Sequence, residues 1–374
     1  MTNPPPPGNW GPPQPPYGQG QSPYGSGPWP PQQGWGPPPQ PPKNNSLKWL
    51  LIGVAVLLVI AISVGATLLF TRDGGGGTTQ TANGNAPAAG EIASANDTGP
   101  VSIITEDPTC EPWRPIISTL AEQERQGWES RPYDIPASQW TTEQRQMFET
   151  VADAMRQAAD QTVALAKLTP HRVMRELYEQ SIAYWRAYAD SIPTYEQGDN
   201  YLAGTATDTS GALVAICDAI SQGSAASRGP LVPNQDPPEA TSTSGSPDSP
   251  QPFMAQTGNP VCADWKRLSD NFDRDGAAWR DADPNIPSSE WDSQRRQLMM
   301  EVAPVMNTLA DDLALQGLKS NDPIVSDFAM LAAQYWRAFS IAIPSYTVAD
   351  SHLSATAAYL TYAVFNACAA AIGG

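Results

Sequence analysis

Apolar side chains follow three patterns along the 374 residues. Residues 1–46 hold almost none. From Trp49 to Thr71 no residue is charged, and the run LLIGVAVLLVIAISVGATLLF is almost wholly apolar. Beyond Cys110 apolar residues recur every three or four positions, the period of amphipathic helices rather than strands. The chain is therefore expected to be all-α, with one segment of a different kind near its start.

That segment is long enough, at about 1.5 Å per residue, to cross the ~30 Å of a bilayer core. A cleaved signal peptide usually has an apolar core of only ~7–15 residues, and no clear small-x-small site precedes the following linker. Residues 47–71 thus read as an uncleaved signal-anchor, a single transmembrane helix. Lys43 and Lys48 precede it, while Arg72 is offset by Asp73, which places the N-terminus in the cytoplasm by the positive-inside rule. All four cysteines, Cys110, Cys217, Cys262 and Cys368, follow the span, as expected if that side is oxidising. The expected location is the plasma membrane, with the C-terminal region extracytoplasmic.

Self-comparison shows a tandem repeat. A shift of 151 residues superposes Trp128 on Trp279, Ile135-Pro136 on Ile286-Pro287 and Trp140 on Trp291. It also superposes Tyr184-Trp185-Arg186-Ala187 on Tyr335-Trp336-Arg337-Ala338, and Cys217 on Cys368. One gapped residue brings Cys110-x-x-Trp113 onto Cys262-x-x-Trp265. Each repeat reads as four helices. The first runs from about Cys110 to Trp128, and an Ile-Pro-x-Ser-x-Trp turn follows in which Ser138 or Ser289 can cap the second helix. The second shows a stripe of Met147, Val151, Ala154 and Ala158. The third carries Val173, Leu177, Tyr184 and Tyr188, and ends at Ile-Pro-x-Tyr because proline disfavours helix in the residue before it. The fourth shows Leu202, Ala206, Thr209, Leu213 and Ile216.

In an up-down bundle with an even number of helices the first and last residues share an end. Of the three possible pairings, the repeat selects Cys110–Cys217 and Cys262–Cys368, each constraining the unfolded chain by roughly 4–5 kcal/mol on the chain-entropy argument. The predicted layout is a disordered tail (1–46), the transmembrane helix (47–71), a flexible linker (72–108), helical repeat 1 (109–222), a Pro/Ser/Thr-rich linker (223–259) and helical repeat 2 (260–374). The second linker should span roughly 30–35 Å and let two independent four-helix modules reorient.

Composition and charge narrow the function. The tail contains 17 Pro and 8 Gly with one charge, Lys43. It cannot bury enough to fold alone. Its Pro-rich segments favour polyproline II; one reading makes Trp10, Tyr17, Tyr24, Trp29 and Trp35 stickers for a cytoplasmic partner and Thr2, Ser22, Ser26 and Ser46 phosphate acceptors, and the other makes it a passive solvated tail. Residues 73–374 carry 18 basic and 38 acidic side chains, a balance of −20 that repels nucleic acid and anionic lipid.

Candidate chemistry is thin. His171 and His352 occupy non-equivalent repeat positions, are read as exposed helix residues, and sit in no metal-binding or catalytic context. No nucleophile elbow, P-loop or dinucleotide fingerprint is present, so no enzyme activity, cofactor or metal is expected. The polar residues shared by the repeats are Arg145, Gln146, Asp160, Arg186 and Asp199 with Arg296, Gln297, Asp311, Arg337 and Asp350. One reading makes Asp199 and Asp350 helix N-caps and puts the arginines in ion pairs or on tryptophan faces. The other makes Trp185, Arg186, Trp336 and Arg337 the walls of a ligand groove. Trp128, Trp140, Trp279 and Trp291 are expected in the core.

The tail beginning MTNPPPPGNWGPPQPPYGQG, the single span and the Thr/Gly/Asn-rich exit linker resemble actinobacterial, especially mycobacterial-type, proline-rich membrane proteins. The likeness covers roughly residues 1–90 and implies a plasma-membrane protein facing the cell envelope, in a group whose members are mostly functionally undefined. It carries no functional residues over. The expected function is a non-enzymatic, membrane-anchored interaction or scaffold protein that meets an envelope or membrane protein. A ligand-binding sensor with Trp-lined modules is the alternative, favoured by a tryptophan-lined pocket. Solid cores with an exposed apolar patch would favour the scaffold.

Overall fold

The computed structural model describes residues 92–372, apart from 234, 237–240, 242–246 and 255–258. The predicted tail, transmembrane helix and signal-anchor lie outside the described residues. Among the described residues no helix is long and apolar enough to cross a membrane.

Every regular element among the described residues is helical. Repeat 1 comprises α1 (Cys110–Glu124), α2 (Thr142–Leu168), α3 (Arg172–Ser191) and α4 (Asn200–Ser221), followed by the short α5 (Ser224–Arg228). Repeat 2 comprises α6 (Cys262–Asp275), the short α7 (Ala277–Arg280), α8 (Ser293–Lys319), α9 (Pro323–Ala342) and α10 (Ser351–Ala371). Disulfides join Cys110 to Cys217 and Cys262 to Cys368, with Cα atoms 5.3 and 5.5 Å apart.

Local chemistry sets the helix ends. Thr141, not Ser138, caps α2: it accepts from Gln144 N–H while the Gln144 side chain accepts from Thr141 N–H. Asp292, rather than Ser289, caps α8, and Asp322 caps α9 with Pro323 in the first turn. Gly223 closes α4 in the left-handed region at φ +79°, where a side chain is strained. Asp199 and Asp350 each accept from the backbone three residues earlier and stiffen the preceding 3₁₀ turn, leaving α4 and α10 without a side-chain cap.

The repeat signature turns out to be one docked corner. The Tyr195 carbonyl accepts from Ala137 N–H and the Tyr195 hydroxyl donates to the Tyr133 carbonyl, while Trp140 Nε1 donates to the Ile135 carbonyl. Tyr346, Ser288, Pro284, Trp291 and Ile286 repeat these bonds in the second half. The two proline turns thus hold each other, and Arg145 and Arg296 donate into the same corner through the Ala137 and Ser288 carbonyls.

Three further expectations, on packing, need correction. First, the core stripe of α2 runs through Phe148, Val151, Met155, Ala158 and Ala159, one position round from the predicted face; Met147 and Ala154 lie at its edge. Second, residues 92–108 are not a free stalk. Val101, Ile103 and Ile104 are buried, the Ala93 amide donates to Lys167, and Asp107 accepts from Thr109 and Thr169. Third, the repeats do not reorient independently. Helices α4 and α10 pack along each other, and α3 is buried on nearly every face because it faces its own bundle on one side and α9 on the other.

The lead-in of each repeat reaches across to the other. Ile104 places its backbone against the buried hydroxyl of Tyr335. Before repeat 2, Gln180 on α3 donates to the Gln251 carbonyl and accepts from Phe253 N–H, and the Phe253 ring bridges Tyr184 and Phe328. The hydroxyls of Tyr184 and Tyr335, equivalent in the two repeats, are both enclosed, each against the backbone of a lead-in, at Met254 and Ile104.

Candidate functional site

The residues singled out in the sequence do not come together in a cleft. Trp185 and Trp336 are enclosed in their cores. Trp185 stacks on Trp113 with centroids 6.1 Å apart, and Trp336 packs edge-on to Phe272 and Trp279. Arg186 pairs with Asp160 at 2.8 Å and Arg337 with Asp311 at 2.7 Å, each spanning the second and third helices of its repeat. Trp128, Trp140 and Trp291 are buried and Trp279 is half-buried. Arg131 lies over the Trp128 ring at 3.5 Å.

His171 is half-buried at the start of α3, with Nε2 2.8 Å from the Glu106 carbonyl. His352 is also half-buried, not exposed: it lies between the repeats, near Asp218 at 3.9 Å and Gln222 at 2.7 Å. Burial holds its imidazole below the ordinary range, against the pull of Asp218. No group of three His, Cys, Asp or Glu side chains placed to hold a metal occurs among the described residues.

What the sequence did not single out is the seam between repeats. Gly204 and Gly211 on α4 let α10 approach closely. A Cβ at Gly204 would meet Asn366 at 2.9 Å, and one at Gly211 would meet the Tyr359 ring at 2.7 Å. Between them Asp208 accepts from Asn366 Nδ2 at 2.7 Å, and burial raises its carboxyl to about 8. The repeat-equivalent positions of Gly211, Asp208 and Ala215 are Tyr362, Tyr359 and Asn366. Small residues on one copy thus receive large ones from the other. A buried ion pair flanks the seam: Arg172 Nε donates to Asp327 at 2.6 Å, while Arg172 N–H donates to Asp97 in the lead-in. On the far side Arg228 pairs with Asp350 at 2.8 Å and donates to Ser345.

Two other features lie on the surface. A shallow groove of about 320 Å³ runs between α1 and α2, with Ile116, Leu120, Ala154 and Ala158 as floor and a polar rim that includes Gln123 and Gln157. Repeat 2 has the larger Phe272, Val305 and Leu309 where the groove floor has Leu120, Ala154 and Ala158. Glu124 and Glu179 are both raised to about 7, chiefly by burial, and each has an arginine, Arg131 or Arg175, opposing the shift. Neither stands beside a histidine partner. The geometry is that of packing and pairing.

Residues 92–372, the described body almost to its ends, match the sequence profile described as mycobacterial ESX-1 associated protein. The chain belongs to that family. An uncharacterized protein of Mycolicibacterium smegmatis (strain MKD8) is 43% identical over 340 residues, covering 89% of each chain. No solved structure matches. The match to the ESX-1 associated family begins at the lead-in that the structure finds packed and runs through both repeats.

Proposed function

We propose that the protein is a non-enzymatic, membrane-anchored interaction module of the mycobacterial cell envelope that works beside a secretion system. Residues 47–71 anchor it, the proline-rich tail faces the cytoplasm, and the double repeat meets protein partners outside. The observation that carries this reading is the pairing of solid cores with large apolar side chains left exposed on the outer helices of repeat 2, Met300, Leu315, Leu318 and Ile341. Repeat-equivalent tryptophans fill the cores instead of lining a pocket, which removes the main support for a small-molecule sensor. Family membership supports the secretion-system setting. The acidic balance favours partners with basic surfaces.

The test is photo-crosslinking in living cells, with probes at exposed positions of both repeats and at Trp29 in the tail. Discrete protein adducts from the repeats, including a component of the secretion machinery, are the expected result. An absence of adducts from well-expressed protein sinks the interaction reading. Reporter fusions at the two ends test the topology, which requires a cytoplasmic N-terminus.

A further inference from the structure

The chain that leads into repeat 2 is seated against repeat 1 as a bound peptide is seated in a groove. Gln180, only 2% exposed on α3, uses both halves of its amide: Nε2 donates to the Gln251 carbonyl at 3.2 Å and Oε1 accepts from Phe253 N–H at 3.0 Å. The Phe253 ring stands edge-on to Tyr184 and to Phe328 of α9, with centroids 5.8 and 5.7 Å apart. Met254 is buried beside it, its backbone against the Tyr184 hydroxyl. Upstream, the Asp248 carboxylate lies 2.9 Å from Lys167 Nζ, and Arg186 donates to the Asp248 carbonyl at 2.8 Å. Two cations thus meet one carboxylate-bearing residue, in a chain whose net charge is −17.

The fold does not dictate this set of contacts. In repeat 2 the equivalent tyrosine, Tyr335, meets the backbone of Ile104, in a lead-in that buries Val101, Ile103 and Ile104. There Leu331 stands in the place of Gln180 and Leu318 in the place of Lys167. A lead-in therefore docks on repeat 2 without an amide that reads backbone. Repeat 1 alone combines that amide with an aromatic slot and a cationic end. Pro250 and Pro252 alternate with the two residues that Gln180 reads. Lacking N–H groups and fixed in φ, they leave no donor to satisfy and little entropy to lose on docking. Aromatic-lined grooves recognise proline-rich segments in this way. The pattern that fits is specified: an acidic residue, any residue, Pro-x-Pro, then an aromatic ring.

We infer that this groove is an exchangeable site for an acidic-x-Pro-x-Pro-aromatic segment of another protein, occupied in cis by residues 248–254. This rests on the interaction reading above and gives it a site and a partner chemistry. Tethering holds the cis segment at an effective concentration on the order of mM, so an outside segment binds by displacing it. The test uses the full-length chain and a fluorescent peptide with the sequence of residues 248–254. Asp248→Ala with Phe253→Ala weakens the cis segment and should tighten peptide binding at least about tenfold. In that background the peptide should also raise Tm, because it binds the folded chain. Gln180→Leu, the residue that repeat 2 carries there, should weaken the peptide about tenfold. A peptide with alanine in place of phenylalanine should not bind.

No gain on weakening the cis segment, or undiminished binding after Gln180→Leu, would make the segment a fixed part of the fold and overturn the inference. Should the double variant unfold, Asp248→Ala alone, at an exposed position, reads the same gain. Self-association of the chain that the peptide abolishes would assign the groove to a second copy and also overturn it. In-cell adducts unchanged by Gln180→Leu would remove the groove while leaving the interaction reading intact. Peptide exchange on the purified chain without any in-cell adduct would do the reverse.

Discussion

Repeat 1 and repeat 2 share their corners, their disulfides and their buried tryptophans, and they part at the surfaces where each meets something other than itself. Inside each bundle, Tyr195 and Tyr346 or Trp140 and Trp291 make the same bonds to the same backbone atoms. At the seam the copies are complementary: glycine against tyrosine, Asp208 against Asn366, Arg172 against Asp327. The positions equivalent to Arg172 and Asp327 are Pro323 and Glu176, so this pair could not form twice. The difference teaches that duplication supplied two copies of a stable bundle, and that divergence between them made one asymmetric body.

The largest way to break that complementarity is to remove one partner of the buried pair. Asp327→Ala leaves the Arg172 guanidinium enclosed with only partial compensation from Asp97, and should cost about 3–5 kcal/mol in denaturant unfolding. Replacing both partners with apolar residues of similar volume should cost far less. A double loss as large as the single one would show that the pair, and not the stranded charge, sets the cost.

Next comes pH. Unfolded, Asp208 ionises near its ordinary value of about 4. In the fold, burial raises it to about 8. The stability due to its protonated form is therefore complete below about pH 4 and is lost as pH rises toward 8, by about 1 kcal/mol per unit. Glu124 and Glu179 act in the same direction with endpoints about 7. Asp208→Asn keeps the shape without the charge and should flatten this decline, visible as a smaller fall in Tm between pH 5 and 8. An unchanged slope would remove Asp208 from the seam's electrostatics.

Self-comparison of the sequence made the bundles legible because it detects what the copies share: Ile-Pro-x-Tyr, the cysteines and Trp185 with Trp336. It is blind where the copies differ, and the seam consists of differences. Gly211 and Tyr359 are unremarkable one at a time and become a contact only when α4 meets α10. Residues 92–108 share a Gly-, Thr-, Asn- and Ala-rich stretch that reads as stalk, although Val101, Ile103 and Ile104 carry an apolar signal. The α2 stripe lies one residue from the face the pattern predicts because Met147 and Ala154 repeat as regularly as Phe148 and Met155.

Two smaller effects sharpen the contrast. Gly211→Ala pushes a Cβ to 2.7 Å from the Tyr359 ring and should cost about 1–3 kcal/mol. Trimming that ring with Tyr359→Leu should return part of the loss, and a double-mutant cycle measures the coupling. On the outer face, Arg156→Ala removes two exposed pairs and should cost under about 1 kcal/mol. The outer ionic face of repeat 1 therefore keeps the surface solvated more than it holds the fold.

Native-state hydrogen exchange on the intact chain tests the central claim that the repeats are one body. The account predicts that the slowest amides of α4 and α10 open together, with the same free energy and the same denaturant dependence. Exchange of α10 at a distinctly lower free energy, with α4 still protected, would mean that the bundles open independently and that their fit is incidental.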